Sequence, residues 1–590
     1  MRPGDNSLGR AIAAISLSVP LLLAGAAAAY SLWRAGFTFD PTLHAQRVAR
    51  LRAAQAALDV NGEAEANADL GQQGFRAARA CVRAWRVIRD SETGLFPRGG
   101  EEGGALVWNG QDTGADLFPH MLYASIRVAP EEEPTWREVL AAERRFAGGT
   151  LPRTIRLQPM TVVEESEEER LQNGAEYAAD GLVPLVERLG EGPWLDRLRE
   201  VVGEVIAHAA VETSHGPIPS TRAETNGNLL QVVARLYPLT RDGGQLEMAE
   251  RIAAWYADDA LPRSGFLPPR AWDRVKSAPA DDYVKLRDHG GEVVPGLAEI
   301  YLLERLEGGA LADRLRSPVH AMLGSVIDAE RMLDGLWIDH VDPATGRLRE
   351  GRPRRVVDTW GYLANAFVMA DLAENDGSSD SMHDGRYGDE IERVMRAASR
   401  LHHFRWERGA PHDGYADAIE SMLCLLPFHP VDGAAEWIDD EISVLLGMQR
   451  RDGFIAREYL DGNFVRTAML YAEWKTRGAR LEPWREDLRI GGADRGAQDH
   501  GLRLYLAADG PWSGRLCLDG VRHRTSWNLR RDYPRRNGSP EWFTVESGRS
   551  YVVRDLDTGD ATEYDGATLV DGVPFSLEPG RPRRLSIEPS

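Results

Sequence analysis

The chain has 590 residues, 43 % of them hydrophobic, and a formal net charge of −21. That size allows several domains or one large core, and the hydrophobic content excludes a disordered chain. The acidic balance excludes nucleic acid as the main partner, because a phosphate backbone needs a basic surface.

The chain opens on Arg2 and Arg10, followed by the apolar run AIAAISLSVPLLLAGAAAAYSLW from Ala11 to Trp33. This run is long enough to span a bilayer and rich in Ala near its end, so residues 1–36 read as a signal peptide or an N-terminal membrane anchor. Arg34, Arg47, Arg50 and Arg52 follow it and leave the orientation open. The expectation is an exported protein, periplasmic or at the cell surface, held to the membrane by this segment if it is not cleaved. Residues 37–74, rich in Ala, Arg and Glu, read as a helical spacer. Cys81, Cys424 and Cys517 lie far apart and form neither a disulfide framework nor a zinc knuckle.

From 75 to 480 two kinds of helix alternate. RAARACVRAWRVIRD (Arg76–Asp90), WLDRLREVVGEVIAHAA (Trp194–Ala210), QLEMAERIAAWYADD (Gln245–Asp259) and YGDEIERVMRAASRLHHF (Tyr387–Phe404) place apolar residues at three- and four-residue steps, as amphipathic helices do. The others carry Gly, Asn or Asp at the head and a mostly apolar body. They are NGQDTGADLFPHMLYASI, QNGAEYAADGLVPLVERL, ETNGNLLQVVARLYPL, DHGGEVVPGLAEIYLL, VDTWGYLANAFVMADL, HDGYADAIESMLCLLPF and DGNFVRTAMLYAEW. A helix apolar nearly all round is buried on all sides. The packing solution is an inner ring of apolar helices backed by an outer ring of amphipathic ones. Parallel inner helices then present their N-termini at one end, where unpaired N–H groups and partial positive charge favour carboxylates and hydroxyl-rich ligands. The polar heads line a bowl.

Residues 481–497 read as a linker, and from 498 to 590 the texture changes. GLRLYLAA, GRLCLDG, WFTVE and RRLSI are short, often alternating, and separated by Gly-rich turns. The fold class expected is therefore mainly α: an (α/α)6–7 helical-hairpin toroid with a C-terminal antiparallel β-sandwich. Within that last domain the run RHRTSWNLRRDYPRR (Arg522–Arg536) reads as a solvated Arg-rich loop, or else as a surface that attracts an anionic glycan.

This architecture, with the phrases DHGGEVVPGLAEIY and ETNGNLLQVVARLY, resembles the six-hairpin glycosidase-like superfamily. Glycoside hydrolases, uronate-acting enzymes, heparinase-like polysaccharide lyases and sugar epimerases belong to it. The resemblance covers about residues 75–590 and implies a carbohydrate substrate, but seven heads stand where that ring has six. No family's acid or base is therefore carried over.

Glycosidic hydrolysis needs two carboxylates, one protonated to release the leaving oxygen and one ionised to activate water or attack the sugar. The heads offer Asp112, Asp116, Glu176, Glu224, Asp288, Glu292, Asp358, Asp413 and Asp417. Asp288, His289 and Glu292 form the densest cluster, and with Asp358 and Asp413 they are the catalytic candidates. A carboxyl beside an imidazole in a partly dry cavity has its pKa moved far enough to act as an acid. N-capping is the competing explanation for Asp112, Asp358 and Asp413. Substrate-binding candidates are Asp112, Asn226 and Asn228 for sugar hydroxyls, and Trp108, Tyr177, Trp360 and Tyr415 for sugar faces. A lyase acting on a uronate would recruit a Tyr or His as base, here His289, Tyr177 or Tyr415, with Asn226 at the carboxylate. A third alternative is a toroid that binds a glycan without catalysis. No cofactor or metal is expected: His402–His403 and His412–Asp413 lack zinc spacing, and no EF-hand, Walker or G-x-S-x-G motif occurs.

Overall fold

The two helix types of the sequence take two layers. A computed structural model describes residues 37–98, 106–288, 290–333, 335–375, 385–407, 411–456, 461–494 and 501–590. The leader, 1–36, and His289 lie outside them. No helix among the described residues is long and apolar enough to cross a membrane.

The outer layer consists of α2 (Val60–Trp85), α4 (Glu133–Ala147), α7 (Pro193–Ala207), α9 (Gly243–Trp255), α11 (Ala312–Asp328), α13 (Arg386–Ser399) and α15 (Ala434–Gly447). Alternating with these in sequence are the inner members. They are α3 (Phe118–Val128), α5 and α6 (Glu167–Glu176, Val183–Leu189), α8 (Ala223–Thr240), α10 (Val293–Glu307), α12 (Trp360–Glu374), α14 (Pro411–Leu425) and α16 (Gly462–Thr476). α10 and α12 bury almost every residue, whereas α13 buries one face, as the difference in patterning requires. Each inner helix packs on the next, and α16 closes the circle against α3. Among the described residues the ring thus has seven hairpins, the upper of the two expected numbers.

Small residues set the close contacts. A Cβ on Gly227 of α8 would lie 2.4 Å from the Glu292 carbonyl carbon and 2.5 Å from Val293 N, and one on Gly296 of α10 would lie 2.9 Å from Gly227 O. Gly227→Ala is expected to cost roughly 1–3 kcal/mol by overpacking and to displace the head of α10. Urea denaturation checks it, and an unchanged midpoint would show that the two helices separate freely.

The expected spacer, 37–74, needs correction. α1 (Pro41–Ala56) packs on α2 and α15, and α2 runs unbroken through residue 75 along α16. A Cβ on Gly74 would come within 2.5 Å of Ala468 O, so this segment is integral to the ring. The expected linker, 481–497, likewise holds strands. β1 (Arg480–Glu482), β4 (Trp512–Cys517) and β7 (Val573–Leu577) form one antiparallel sheet in the order β1-β4-β7. β2 (Arg489–Asp494), β3 (Leu502–Ala507), β5 (Ser550–Asp555), β6 (Ala561–Asp565) and β8 (Arg583–Pro589) form a second, in the order β2-β3-β8-β5-β6. β2 lies on α2, where a Cβ on Gly491 would meet Ala64 O at 2.1 Å.

The Arg-rich run of this domain is a plug, not a solvated loop. Ser526 Oγ donates to Glu187 O at 3.1 Å, Asn528 Nδ2 to Pro238 O at 2.8 Å, and Arg531 Nη1 to Asn375 O at 3.4 Å. These acceptors lie at the C-terminal ends of α6, α8 and α12. The chain then enters the ring: Tyr533 Oη donates to Glu299 at 2.8 Å, and Arg535 and Arg536 are buried at 4 % and 6 % exposure.

Candidate active site

At the opposite end of the ring a cavity of about 470 Å³ receives residues from all seven inner members. Asp112 and Asp116 lie on the turn before α3, and Glu176 and Asp180 at the junction of α5 and α6. α8 gives Glu224 and Asn228, and the approach to α10 gives Arg287, Asp288 and Glu292. Thr359 and Tyr362 come from the head of α12, Asp413 and Asp417 from α14, and Asn463 and Arg466 from α16. The convergence of polar heads holds for the described residues.

Most contributors stand three or four residues apart on one helix, the spacing that puts side chains on one face. Two of the heads widen into π-turns, Gly110–Leu117 and Tyr177–Leu182, which touch where a Cβ on Gly181 would lie 2.7 Å from Gly114 O. Such turns aim an extra residue inward, here Asp116 and Asp180.

The floor comes from the plug. Arg536 Nη2 lies 2.8 Å from Asp180 and Nη1 3.7 Å from Glu292, and the guanidinium also donates to Asn228. Asn537 donates to Asp180 at 2.8 Å and accepts from Arg466 Nη1 at 2.8 Å. Arg466 holds Asp417 at 2.7 Å and Glu420 at 3.0 Å. Arg287 spans Asp288 at 2.8 Å, the buried Asp358 at 2.7 Å and Glu407 at 3.1 Å.

With so many carboxyls in one pit, the pKa values of several are raised. Burial raises Asp116 well above the usual carboxylate range, and the charges of Asp413, Asp180 and Asp112 add to it. Burial also raises Glu176, with Glu224 next in effect, and Asp417, with Asp413 next and Arg466 opposing. Asp358 is raised by burial against the pull of Arg287.

Of the residues expected from sequence, Asp112, Asn228, Asp288, Glu292 and Asp413 line the cavity, and Asp358 lies beneath Arg287. Asp413 accepts from Asn463 Nδ2 at 2.6 Å. Five others face elsewhere. Trp108 and Tyr177 pack edge to face at 6.4 Å, and the Tyr177 hydroxyl lies beside Arg197 of α7. Asn226 donates to Ser220 O at 2.8 Å and lies beside Tyr256 behind α8. Trp360 is fully buried, and Tyr415 faces Glu441 of α15. The reason is helical rotation: about 100° per residue turns a neighbour of a bowl-facing residue into the core or toward the outer layer. Among the described residues the sugar-stacking walls expected of Trp and Tyr reduce to Tyr362. A grouping with metal-ligand spacing, His523, Asp532 and Glu541, lies in the plug domain and not in this cavity.

No protein-family model matches the chain, and no curated protein matches it. Solved structures do. The GH76A α-1,6-mannanase of Salegentibacter sp. HEL1_6 is 11 % identical with a TM-score of 0.38, over 68 % of this chain and 98 % of that one. Cellobiose 2-epimerase of Spirochaeta thermophila DSM 6192 is 15 % identical with a TM-score of 0.38, over 54 % and 80 %. The GH127 β-L-arabinofuranosidase Ara127N-Se of Geobacillus stearothermophilus T6 is 11 % identical with a TM-score of 0.31, over 89 % and 75 %. At these scores and identities they carry no residue role into this chain. The toroid rests on its own ring of helices.

Proposed function

We propose that the protein hydrolyses a glycosidic bond of a polysaccharide or oligosaccharide in the cavity at the inner-helix heads. The observation that carries this reading is the placement of Asp116 and Asp413 in one cavity, where burial and then the charge of Asp413 raise the Asp116 carboxyl well above its usual range. Asp116 serves as general acid and protonates the leaving oxygen. Asp413, held by the Asn463 amide, serves as the carboxylate that activates water or attacks the anomeric carbon. Asp288, Glu292 and Asp358 hold the cationic groups Arg287 and Arg536 in place, and Asp112 and Asn228 meet sugar hydroxyls. The apolar Ala11–Trp33 run supports an exported enzyme.

The engagement of the arginines favours hydrolysis over elimination on a uronate. A lyase needs a cation or amide available to neutralise the sugar carboxylate, whereas Arg287, Arg466 and Arg536 each already hold protein carboxylates, so that elimination would fall to Lys285. A panel of neutral and acidic glycans, read for new reducing ends and for ultraviolet-absorbing unsaturated products, tests this. Reducing ends without ultraviolet absorption are expected. Unsaturated products would make it a lyase, and binding without turnover a non-catalytic glycan-binding protein.

A further inference from the structure

We infer that the protein binds a small carboxylate with an apolar body in a second cavity, at the far end of the ring from the acidic bowl. This cavity, of about 300 Å³, lies between the C-terminal ends of α3, α6 and α16 and the β domain. Its walls include Phe75, Tyr123, Met469, Trp484 and Trp542, so it differs from the bowl in both position and chemistry.

Several donor atoms of its lining side chains lack an acceptor. Arg127 Nε, Arg188 Nε, Arg522 Nη1 and Trp484 Nε1 are all buried without a hydrogen-bond partner, and all four side chains line this cavity. Arg188 and Trp484 are each 7 % exposed. A buried donor left unmade is costly, and four of them belong to side chains around one space, where small rotations would turn them onto an acceptor-rich occupant.

Charge narrows the class. Four guanidinium groups, those of Arg127, Arg188, Arg480 and Arg522, face three carboxylates, those of Glu473, Glu482 and Asp519. Arg127 and Arg480 share Glu482, at 2.9 and 2.8 Å, and Arg522 takes Asp519 at 3.0 Å. Arg188 is left with Glu473 at 3.8 Å, and Glu473 also accepts the Tyr123 hydroxyl. One positive charge is in excess, which suits a monoanion. The Arg188 guanidinium lies 4.3 Å from the Tyr123 ring centroid, so a carboxylate docked on it has aromatic surface beside it for an apolar tail. A sugar fits less well, because its hydroxyls need acceptors as well as donors and the carboxylates here are already engaged.

The test uses the full chain and 3-phenylpropionate as probe, with 3-phenylpropan-1-ol as its neutral counterpart, followed by titration calorimetry. One saturable site for the acid is expected, with binding at least about tenfold weaker for the alcohol and for Arg188→Gln, since a charge-assisted contact is lost in each. Trp484→Phe keeps the ring, removes the N–H and is expected to weaken binding about threefold. Asp116→Asn, in the other cavity, is expected to leave the affinity unchanged. Absence of a saturable site, equal binding of the alcohol, or weakening by Asp116→Asn without weakening by Arg188→Gln would overturn the proposal. Should Arg188→Gln fail to give a cooperative melt, Trp484→Phe decides, and unchanged affinity there overturns it.

Discussion

Asp116→Asn is expected to lower kcat on a cleavable glycan about a thousandfold while leaving the melting temperature at pH 7 unchanged or higher. The first half follows from the proposed role. A positioned general acid contributes on the order of 10²–10⁴ in rate, and an amide has no acidic proton to give. The second half follows from the direction of the shift. Burial and the charges of Asp413, Asp180 and Asp112 raise this carboxyl's pKa and so favour its neutral form, whose shape and polarity an amide shares. The sign with pH is fixed by the direction of the shift. A carboxyl whose folded pKa is raised binds its proton more tightly in the folded than in the unfolded chain. Its stabilising contribution is complete below the unfolded value of about 4 and is lost as pH rises through the folded value. The wild type is therefore expected to lose stability relative to Asp116→Asn as pH rises from mildly acid to alkaline. Glu176 and Asp417 act in the same direction. Melting curves and steady-state rates between pH 5 and pH 9, roughly, check both halves. Equal loss of activity and stability would make Asp116 structural. A thousandfold loss in Glu292→Gln, with Asp116→Asn active, would move the acid to the head of α10.

The ring was legible because its signal is redundant. Seven apolar bodies, each with a Gly, Asn or Asp head, repeat along the chain, and burial of the bodies forces the heads to one end. The site was legible only as a neighbourhood. Asp413 and Tyr415 are two residues apart in the same head, yet the first lines the cavity and the second faces the outer helix α15. What separates them is helical phase, and the sequence does carry that phase. Asp413 with Asp417 and Glu224 with Asn228 stand four apart on otherwise apolar helices, and Asp112 with Asp116 stand four apart on the turn before α3, a pattern that selects the bowl face over the aromatics. The π-turns shift the phase locally, which hides the inward placement of Asp180. Arg536 and Asn537 had no local signal at all. A run with six arginines within fifteen residues reads as solvated, and its burial depends on carboxylates such as Glu187 and Glu299, hundreds of positions earlier in the chain. The spacer and linker erred for a related reason: a short or Ala-rich segment has no strong period of its own, and the surface it packs against decides its place.

Glu187→Ala is expected to destabilise the protein by about 3–5 kcal/mol, the usual consequence of stripping one partner from a buried ion pair. Glu187 sits in α6 at 1 % exposure and receives Arg535 through Nη2 at 3.2 Å and Nε at 3.3 Å, with Ser539 N at 2.7 Å. Although burial alone would raise its pKa, Arg535 in the first place, then Arg522 and Arg235, bring it down to about 2. Because the folded pKa is depressed, its contribution is present above the unfolded value of about 4.5 and disappears as pH falls through the folded one. Without the carboxylate, Arg535 retains Asp532 at 2.7 Å but remains buried with a vacant fork. The guanidinium then escapes only by withdrawing the plug. Withdrawal carries Arg536 and Asn537 with it, freeing Asp180, Glu292 and Asn228 from their cationic partner and opening the floor of the cavity. Activity should therefore fall together with stability, and limited trypsin digestion should begin to cut after Arg535 or Arg536, which are buried in the wild type. Glu187→Gln, which keeps the acceptor oxygen without the charge, should lie between. Urea denaturation and peptide mapping measure both effects. A loss under about 1 kcal/mol with an uncut plug would mean that the β domain closes the ring without being held by this pair, and that the cavity floor is fixed from the helix heads alone.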